Sequence, residues 1–286
     1  MNDNQRHRTE DIKRGFATPA SAVAIEVGDA VYHDGTNIQP ASQIGYTSSP
    51  TTFALCQAYF AARSLGIALD ASPAGKTDPI QFGFDGEWEI PCAALGAALK
   101  QGALFGPADE GTGDTLEDQI VIEVHDPRRA SAVLSRDAAS GATSVWVRPL
   151  SGTERANLMS QVHTMKFPSV LLETVNDPAV TAFTFGKRVR ILELGGIVTV
   201  LVAADQTAPV IAAKKGSTEL DDTLTVPTAT ARGAVVRQAI DDASGDDVFG
   251  AEDTLSIYVK TAGVDAGTEG GAAEPFIVYC DLGHTK

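Results

Sequence analysis

The chain has 286 residues, of which 43% are hydrophobic and 21% are charged, a composition typical of folded globular proteins. Its 22 lysines and arginines are outnumbered by 37 aspartates and glutamates, so the formal net charge is −15. Proteins that grip phosphate backbones concentrate positive charge, and this balance therefore argues against a nucleic-acid partner. At roughly 100 to 200 residues per domain, the length predicts about two domains.

The sequence shows no pattern typical of a membrane span, a signal peptide or a CxxC motif. No segment approaches the ~20 apolar residues of a membrane span, and the start MNDNQRHRTEDIKRG has no apolar signal-peptide run. We therefore expect a protein made in the cytoplasm, with no membrane partner. Cys56, Cys92 and Cys280 are widely separated and form no CxxC pair, which predicts packed thiols rather than a zinc or redox site.

The sequence pattern of the N-terminal half is typical of a β protein. Residues 1–20 are charged and almost free of apolar side chains, which predicts an arm that is frayed or orders against a neighbouring subunit. An apolar spacing at 53–66 predicts a helix. Turn-forming clusters at 34–37 and 139–141 separate short β-branched and aromatic runs. These runs predict strands at 22–27, 79–84, 87–91, 119–125 and 144–150.

The C-terminal half also consists mainly of strand-like runs, which follow a short segment with a helical pattern. Residues 151–165 predict an amphipathic helix with Ser151 or Thr153 as its N-cap, inside a linker at 151–168. Gly195-Gly196 predicts a two-residue hairpin turn. Strands are predicted at 180–185, 188–194, 197–203, 254–260 and 275–280. The fold class is therefore all-β, with few short helices: a small β-barrel domain at 21–150 and a β-sandwich-like domain at 169–286.

The candidate motifs for catalysis or cofactor binding lack residues that the corresponding chemistry requires. Gly75-Lys76-Thr77 resembles the end of a phosphate-binding loop, but Asp70 replaces the required glycine and Pro79 begins a predicted strand instead of a helix. The five histidines form no metal-binding pair, and no G-x-S-x-G elbow is present. We expect no nucleotide, no metal and no other cofactor.

Two acidic stretches are candidates for calcium binding, and a set of large apolar residues are candidates for core or interface packing. The stretches at 109–118 and 241–253 miss the calcium-loop spacing, so solvated loops are favoured over calcium sites. Trp88 and Trp146 sit in alternating strands, which favours core or interface packing over sugar stacking. Our candidates for core or intersubunit packing are Trp88, Trp146, Phe183, Phe185, Ile191, Leu192, Val198, Val200 and Phe276.

The first half contains a series of short segments: GDAVY at 28–32, IQPAS at 38–42, LGIAL at 65–69, GKTDPI at 75–80, GEWEIPC at 86–92, GALFGP at 102–107, DQ at 118–119 and ATSVWVR at 142–148. Taken together, this series resembles the capsid cement, or head decoration, proteins of tailed bacteriophages and prophages. The similarity covers roughly residues 20–150, and each segment alone is unspecific. The second half is only loosely similar to β-sandwich modules of phage head and tail proteins.

The resemblance implies a structural role in the virion and no catalytic residues. It implies a protein on the capsid exterior that binds the assembled lattice of the major capsid protein and stabilises the head. It also implies a homo-oligomer, with a trimer favoured. For residues 169–286 it leaves open a second capsid-binding or trimer-forming layer, or an outward knob.

Two other hypotheses belong to different functional classes. The first is a phage or prophage adhesion module in which the C-terminal domain binds a host-surface glycan. The second is an enzyme whose active site is assembled from residues distant in sequence, which a deep pocket with convergent polar groups would reveal. The leading hypothesis remains a non-enzymatic head decoration protein.

Overall fold

The computed structural model describes residues 6–7, 13–46, 52–111, 114–172, 175, 183–202, 207–240, 247–263 and 271–282. The chain divides into two units, residues 1–159 and 160–286. Strands dominate both units, which confirms the all-β fold class. The division falls inside the segment 151–168 that the sequence analysis treats as a linker.

The first unit holds two sheets, and the predicted helix at 53–66 is present in it. Its elements are β1 (Arg6–His7), β2 (Arg14–Ala17), β3 (Ala30–His33), β4 (Ile38–Pro40), α1 (Phe53–Arg63), β5 (Ser64–Ala68), β6 (Ile80–Gly83), β7 (Trp88–Pro91), β8 (Leu104–Asp109), β9 (Leu116–Glu123), β10 (Ala132–Leu134), β11 (Ser144–Pro149) and α2 (Gly152–Met159). Short 3₁₀ helices cover Ala41–Gln43 and Pro127–Arg129.

One sheet of the first unit curls into a small barrel. Its strand order is β2-β6-β5-β3-β4. The residues that follow β2 close it, because the Ile38 amide donates to the Thr18 carbonyl at 2.9 Å and the Ala20 amide donates to the Ile38 carbonyl at 3.2 Å. The interior is apolar and contains Ile25, Val31, Ile38, Ala68, Ile80 and Phe82.

The closed barrel needs a glycine where two strands come close. Gly66 in β5 has a φ of +140°, and a Cβ there would lie 2.0 Å from the Gly83 carbonyl oxygen. Only glycine tolerates both the conformation and the approach. β5 follows α1 directly, at Ser64, where the backbone leaves the helical conformation.

The second sheet has the order β1-β7-β11-β10-β8-β9. Alternating residues of β7 and β11 face its core, as the period-two pattern predicts. That core contains Ile67, Trp88, Ile90, Cys92, Phe105, Val121, Ala132, Leu134, Val145 and Val147. Helix α1 forms a neighbouring cluster in which Cys56 and Phe60 pack with Tyr32 and Leu116.

The predicted arm at 1–20 and the predicted strand at 22–27 differ from the structure. Residues 14–17 form β2, where Gly15 lies opposite Phe82. Over 22–27 only Ile25 makes a β-bridge, to Ser72. The strand does not extend because the Asp29 carboxylate accepts the Glu26 amide at 2.7 Å and Gly28 adopts a φ of +100°, which bends the chain into a turn.

Two sheets make up the second unit. Their strands are β12 (Val162–Lys166), β13 (Val170–Leu171), β14 (Phe183–Thr184), β15 (Val189–Val200), β16 (Val210–Lys215), β17 (Thr218–Glu219), β18 (Leu224–Thr225), β19 (Val235–Ala239), β20 (Val248–Phe249), β21 (Thr254–Thr261) and β22 (Ala272–Asp281). The orders are β12-β22-β15-β19 and β14-β21-β16-β17. A shared apolar core includes Val189, Ile191, Leu194 and Val198 from the first sheet and Ile211, Leu255, Ile257 and Val259 from the second.

The predicted hairpin at Gly195-Gly196 is wrong. β15 runs unbroken from Val189 to Val200, and both glycines pair within it, Gly195 with Phe276 and Gly196 with Pro275. A Cβ at Gly195 would lie 2.1 Å from Phe276 Cζ. The glycine therefore makes room for a cross-strand aromatic ring and does not form a turn.

Candidate interaction surfaces

The predicted packing residues fall into a buried and a partly exposed group. Side chains in the core are Trp88, Ile191, Leu192, Val198 and Phe276, whereas Trp146, Phe183 and Phe185 are partly exposed and Val200 is 38% exposed. The sequence pattern identified these residues as apolar contacts. It did not distinguish the core residues from those that reach the surface.

Trp146 lies on the surface of β11 beneath an arginine. The Arg136 guanidinium carbon sits 4.2 Å from the indole centroid, and the same arginine pairs with Glu87. A cation over the ring covers one indole face. Trp146 is therefore a partly exposed residue that packs against Arg136.

The aromatic residues of the second unit meet around Phe185. Its ring centroid lies 5.2 Å from Phe183, 5.9 Å from Phe249 and 5.0 Å from Tyr279. Phe249 belongs to the core, so this group extends the core toward the surface. Edge-on and tilted contacts at these distances are favourable packing arrangements.

An apolar groove lies on the surface of the first unit. It has a volume of about 420 Å³, and Phe84 beside it is 40% exposed. Strands β5 and β6, the end of β11 and the start of α2 build it, and its lining residues are Ser64, Leu65, Phe82, Phe84, Pro149, Leu150, Ser151 and Gly152. The groove is therefore a candidate surface for binding another molecule.

A second exposed aromatic side chain belongs to the strand beside the groove. Phe16 on β2 is 69% exposed, and it pairs with Gln81 of β6. The residue before it, Gly15, lies under the Phe82 ring, where a Cβ would be 2.3 Å from Phe82 Cζ. The backbone of Gly15 therefore covers the Phe82 ring, whereas the side chain of Phe16 remains exposed to solvent.

A polar cleft of about 500 Å³ lies on the same unit, and its lining includes the buried Asp29 and the half-buried Asp118. Asp118 on β9 accepts the Ser42 amide at 2.5 Å. Asp29 accepts the Glu26 amide at 2.7 Å and the Gln119 Nε2 at 2.9 Å. These contacts join the turn before β3, the Ala41–Gln43 3₁₀ helix and β9.

The environment of these carboxylates disfavours their charge. Desolvation raises the pKa of Asp118 to about 6, and the negative charges of Asp29 and Glu117 contribute to the same shift against the hydrogen bonds from Ser42. Desolvation also raises the pKa of Asp29. No sequence pattern pointed to this pair, because the two aspartates are far apart in the chain.

The motif candidates from the sequence occupy ordinary turns and strands. Gly75 has a φ of +91° in a turn, and β6 follows at Ile80 as predicted. His33 Nδ1 accepts the Gly35 amide at 3.0 Å, and His125 Nδ1 lies 3.7 Å from Glu123. The His163 ring centroid lies 5.4 Å from that of Tyr279, with the two rings tilted against each other. His284 and residues 241–246 of the second acidic stretch lie outside the described residues.

The cysteines are buried as thiols, as predicted. Cys56 is 0% exposed, Cys92 is 8% exposed and Cys280 is 3% exposed. Burial raises the pKa of Cys56 to about 11 and also raises that of Cys92. Within the described ranges, no three histidine, cysteine or acidic side chains are grouped to hold a metal ion.

Among the helices that the structure describes, none combines the length and apolar character needed to cross a membrane. This finding concerns helices alone.

Comparison with known proteins does not assign the chain to a family. No family model matches it, and no curated protein matches it. Solved structures with some similarity include infectious bursal disease virus of the Gx strain, at 10% identity and a TM-score of 0.22 over 99% of this chain and 70% of that chain. T=1 particles derived from that virus are 9% identical, with a TM-score of 0.22 over 99% of this chain and 72% of that chain. The Gt strain of the virus is 10% identical, with a TM-score of 0.22 over 99% of this chain and 75% of that chain. So low a TM-score carries no argument about fold or function.

Proposed function

We propose that this chain is a structural virion protein that decorates the outside of a tailed-phage or prophage head and reinforces it. The observation that carries the proposal is the place of the segments that resemble capsid cement proteins. These segments form the framework of the first unit: Gly28, Gly75, Gly86 and Gly102 lie in turns or bends and have positive φ. In the segment GEWEIPC, the side chain of Trp88 is in the core.

The proposed role is adhesive and mechanical, without catalysis. The apolar groove and the exposed Phe16 give the first unit a surface for contact with another protein. Contacts of roughly 800 Å² per partner are typical of specific interfaces. A protein that contacts several capsid subunits at once must lose several such contacts before those subunits can separate, so modest interfaces add up.

Electrostatics is compatible with the outer face of a head. A chain with a net charge of −15 is repelled by packaged DNA, whereas on the exterior the same charge limits sticking between particles. The proposed partner is therefore the lattice of the major capsid protein, and the second unit is proposed as a further capsid-binding layer, an oligomerisation layer or an outward knob.

The test compares assembled heads with dispersed subunits of the major capsid protein encoded in the same genome. Co-sedimentation of the full chain should show binding to heads and much weaker binding to dispersed subunits, because only the lattice presents a composite site. Equal binding to both, or binding to neither, would contradict the proposal. A glycan array with the same protein tests the adhesion alternative, and binding there without head binding would favour it.

A matched pair of variants tests the groove. Phe84→Asp places a charge beside the apolar groove, and we expect it to reduce head occupancy by at least about tenfold, since burying an unpaired charge is strongly unfavourable. Val27→Asp makes the same kind of change at a residue that is 48% exposed and does not line the groove. Equal occupancy of the two variants would show that the groove is not the capsid-facing surface.

A further inference from the structure

The barrel and the second sheet of the first unit pack against each other along a boundary that we call the seam. A cavity of about 30 Å³ lies on the seam. Ala30 of β3 and Ile67 of β5 line the cavity from the barrel side, and Ile90 of β7 and Val147 of β11 line it from the other side. Most of the lining is apolar, so apolar contact holds the middle of the seam.

The cavity on the seam shares residues with two features of the surface. Asp118 and Ile120 line both the cavity and the polar cleft. Ser64 and Pro149 line both the cavity and the apolar groove. The groove also takes one wall from β5 and β6 and the other from the end of β11 and the start of α2. The seam therefore runs through the first unit from the polar cleft to the apolar groove.

Hydrogen bonds to β9 fasten the seam at its cleft end. The Asp118 carboxylate accepts the Ser42 amide at 2.5 Å. Close by, the Leu116 amide donates to the Ile44 carbonyl at 3.2 Å. Ser42 and Ile44 follow β4 of the barrel, whereas Leu116 and Asp118 belong to β9 of the second sheet. Both hydrogen bonds therefore cross the seam.

The cleft end of the seam holds four carboxylates without a cation. The lining of the polar cleft includes Glu26, Asp29, Glu117 and Asp118. Asp29 accepts Gln119 Nε2 at 2.9 Å, which is a further bond between the barrel side and β9. In the part of the chain that the structure describes, none of these four carboxylates forms an ion pair. Only hydrogen-bond donors therefore compensate a negative charge in the cleft.

The other titratable groups around Asp118 supply no counter-charge to it. On β3, burial and neighbouring charges, including that of Asp118, raise the pKa of Tyr32 to about 12, so its phenol stays neutral. Arg63 at the end of α1 acts on Tyr32, and no ion pair joins it to Asp118 among the described residues. The titratable groups of this region are Glu26 and Asp29 before β3, Tyr32 on β3, Arg63 on α1, Glu117 on β9, and Asp109 and Glu110, which act on Glu117.

We propose that Asp29 and Asp118 form a pH-dependent latch on the seam, which stays fastened while the pair holds a proton and opens more often when both carboxylates are ionised. Opening gives the two carboxylates access to water, where the ionised form is well solvated, whereas the closed seam keeps them desolvated and close to other negative charges. The inference goes beyond head binding, because it concerns the free protein and is measured without a capsid.

The ionisation of Asp118 sets the expected size of the effect. Its pKa is about 6 in the closed structure, against 3.8 for the ordinary side chain. If the open state has the ordinary value, linkage raises the open population about tenfold between pH 5 and pH 8. Burial raises the pKa of Asp29 as well, so its ionisation acts in the same direction. The latch is therefore tighter in mild acid than at pH 8.

Amide hydrogen exchange of the full-length chain, measured by NMR at pH 5 and pH 8, reports the opening. Rates are converted to protection factors, which remove the intrinsic pH dependence of exchange. The Ser42 and Leu116 amides are the seam amides, and we expect their protection to fall by at least about tenfold at pH 8. The Ile38 amide, bonded within the barrel, and the Leu134 amide, bonded within the second sheet, are the reference amides. Their protection should change by a much smaller factor.

Three variants locate the effect at the latch. Asp118→Asn keeps an acceptor for the Ser42 amide but does not titrate, so it should remove most of the pH dependence of the seam amides. Glu117→Gln removes a negative charge that favours the protonated form of Asp118. The pH at which protection falls should therefore move lower. Glu123→Gln makes the same change at the far end of β9 and should leave that pH where it is in the wild type.

Three outcomes would overturn the proposal. The first is protection of the seam amides that is equal at pH 5 and pH 8. The second is an equal loss at the seam and reference amides, which would mean that the first unit responds as a whole. The third is a full wild-type pH dependence in Asp118→Asn. If circular dichroism shows that this variant does not fold, the wild-type comparison and the Glu117→Gln and Glu123→Gln pair decide, and equal behaviour of that pair would then count against the latch.

Discussion

Gly195 lies directly opposite Phe276 across β15 and β22, and the phenyl ring occupies the space that a side chain at Gly195 would need. Phe276 is 3% exposed and packs with Leu192, Val278 and Cys280 on one face of the sheet. The Arg237 guanidinium lies 5.1 Å from the ring centroid. The glycine is thus a packing requirement of the second unit.

We expect Gly195→Ala to lower the free energy of unfolding by about 2 to 3 kcal/mol, since overpacked sites force neighbouring side chains to move. Gly196→Ala is the control, because a Cβ there would meet Leu224 Cδ2 at an ordinary 3.4 Å. Urea denaturation measures both. Adding Phe276→Leu to Gly195→Ala should recover part of the loss, and a purely additive double variant would contradict the steric explanation.

The failed hairpin prediction shows where sequence patterns stop being informative. Two apolar runs separated by Gly-Gly indicate a hairpin locally, but the ring that needs the glycine is contributed by a residue 81 positions later in the chain (276 − 195). β16 was missed for a similar reason. Its sequence VIAAKK has weak strand propensity, and pairing with β21 stabilises it.

Strands in which apolar and polar residues alternate were predicted correctly. The groove and the polar cleft of the first unit were not predicted. The runs at 79–84, 87–91 and 144–150 correspond to β6, β7 and β11, because one buried face imposes a period of two. The groove and the Asp29 and Asp118 pair depend on contacts between distant segments. Ser42 and Asp118, for instance, are 76 residues apart.

Asp118 predicts a stability that falls as the pH rises. Its pKa is about 6 in the folded protein against 3.8 for the ordinary side chain. The folded state therefore holds this proton more tightly, and the associated stability is complete below about pH 4 and is lost as the pH rises through about 6. At pH 7.5 the ionised side chain costs about 2 to 3 kcal/mol relative to a neutral one.

Asp118→Asn should remove this cost and retain an acceptor for the Ser42 amide. We expect the variant to be more stable than the wild type at pH 7.5 and to lose that advantage below about pH 4. Asp137→Asn provides a control of opposite sign, because Lys100 and the Gln101 amide lower the pKa of Asp137. An Asp118→Asn advantage that is constant from pH 4 to pH 8 would indicate a packing effect instead.

The buried thiols predict slow chemical labelling of the native protein. At pH 8, a thiol with the pKa of about 11 at Cys56 is almost entirely protonated, and only the thiolate reacts. Ellman's reagent should therefore modify Cys56, Cys92 and Cys280 slowly without denaturant and quickly in concentrated urea. Rapid modification of Cys56 in the native state would mean that the α1 region opens easily.

The start of α2 distinguishes the two N-cap candidates that the sequence left open. The Glu154 amide donates to the Ser151 hydroxyl at 3.3 Å, and the Ser151 amide donates to the Glu154 carboxylate at 3.0 Å, which together form a capping box. Ser151→Ala should lower the free energy of unfolding by about 1 kcal/mol, whereas Thr153→Ala, inside the first turn, should change it by less than about 0.5 kcal/mol. Because the Ser151 hydroxyl also helps to position Glu154 against Arg148, Ser151→Ala should weaken this ion pair and reduce the part of the stability that salt screens. Equal effects of the two alanine substitutions in a urea titration would argue that the cap contributes nothing to folding.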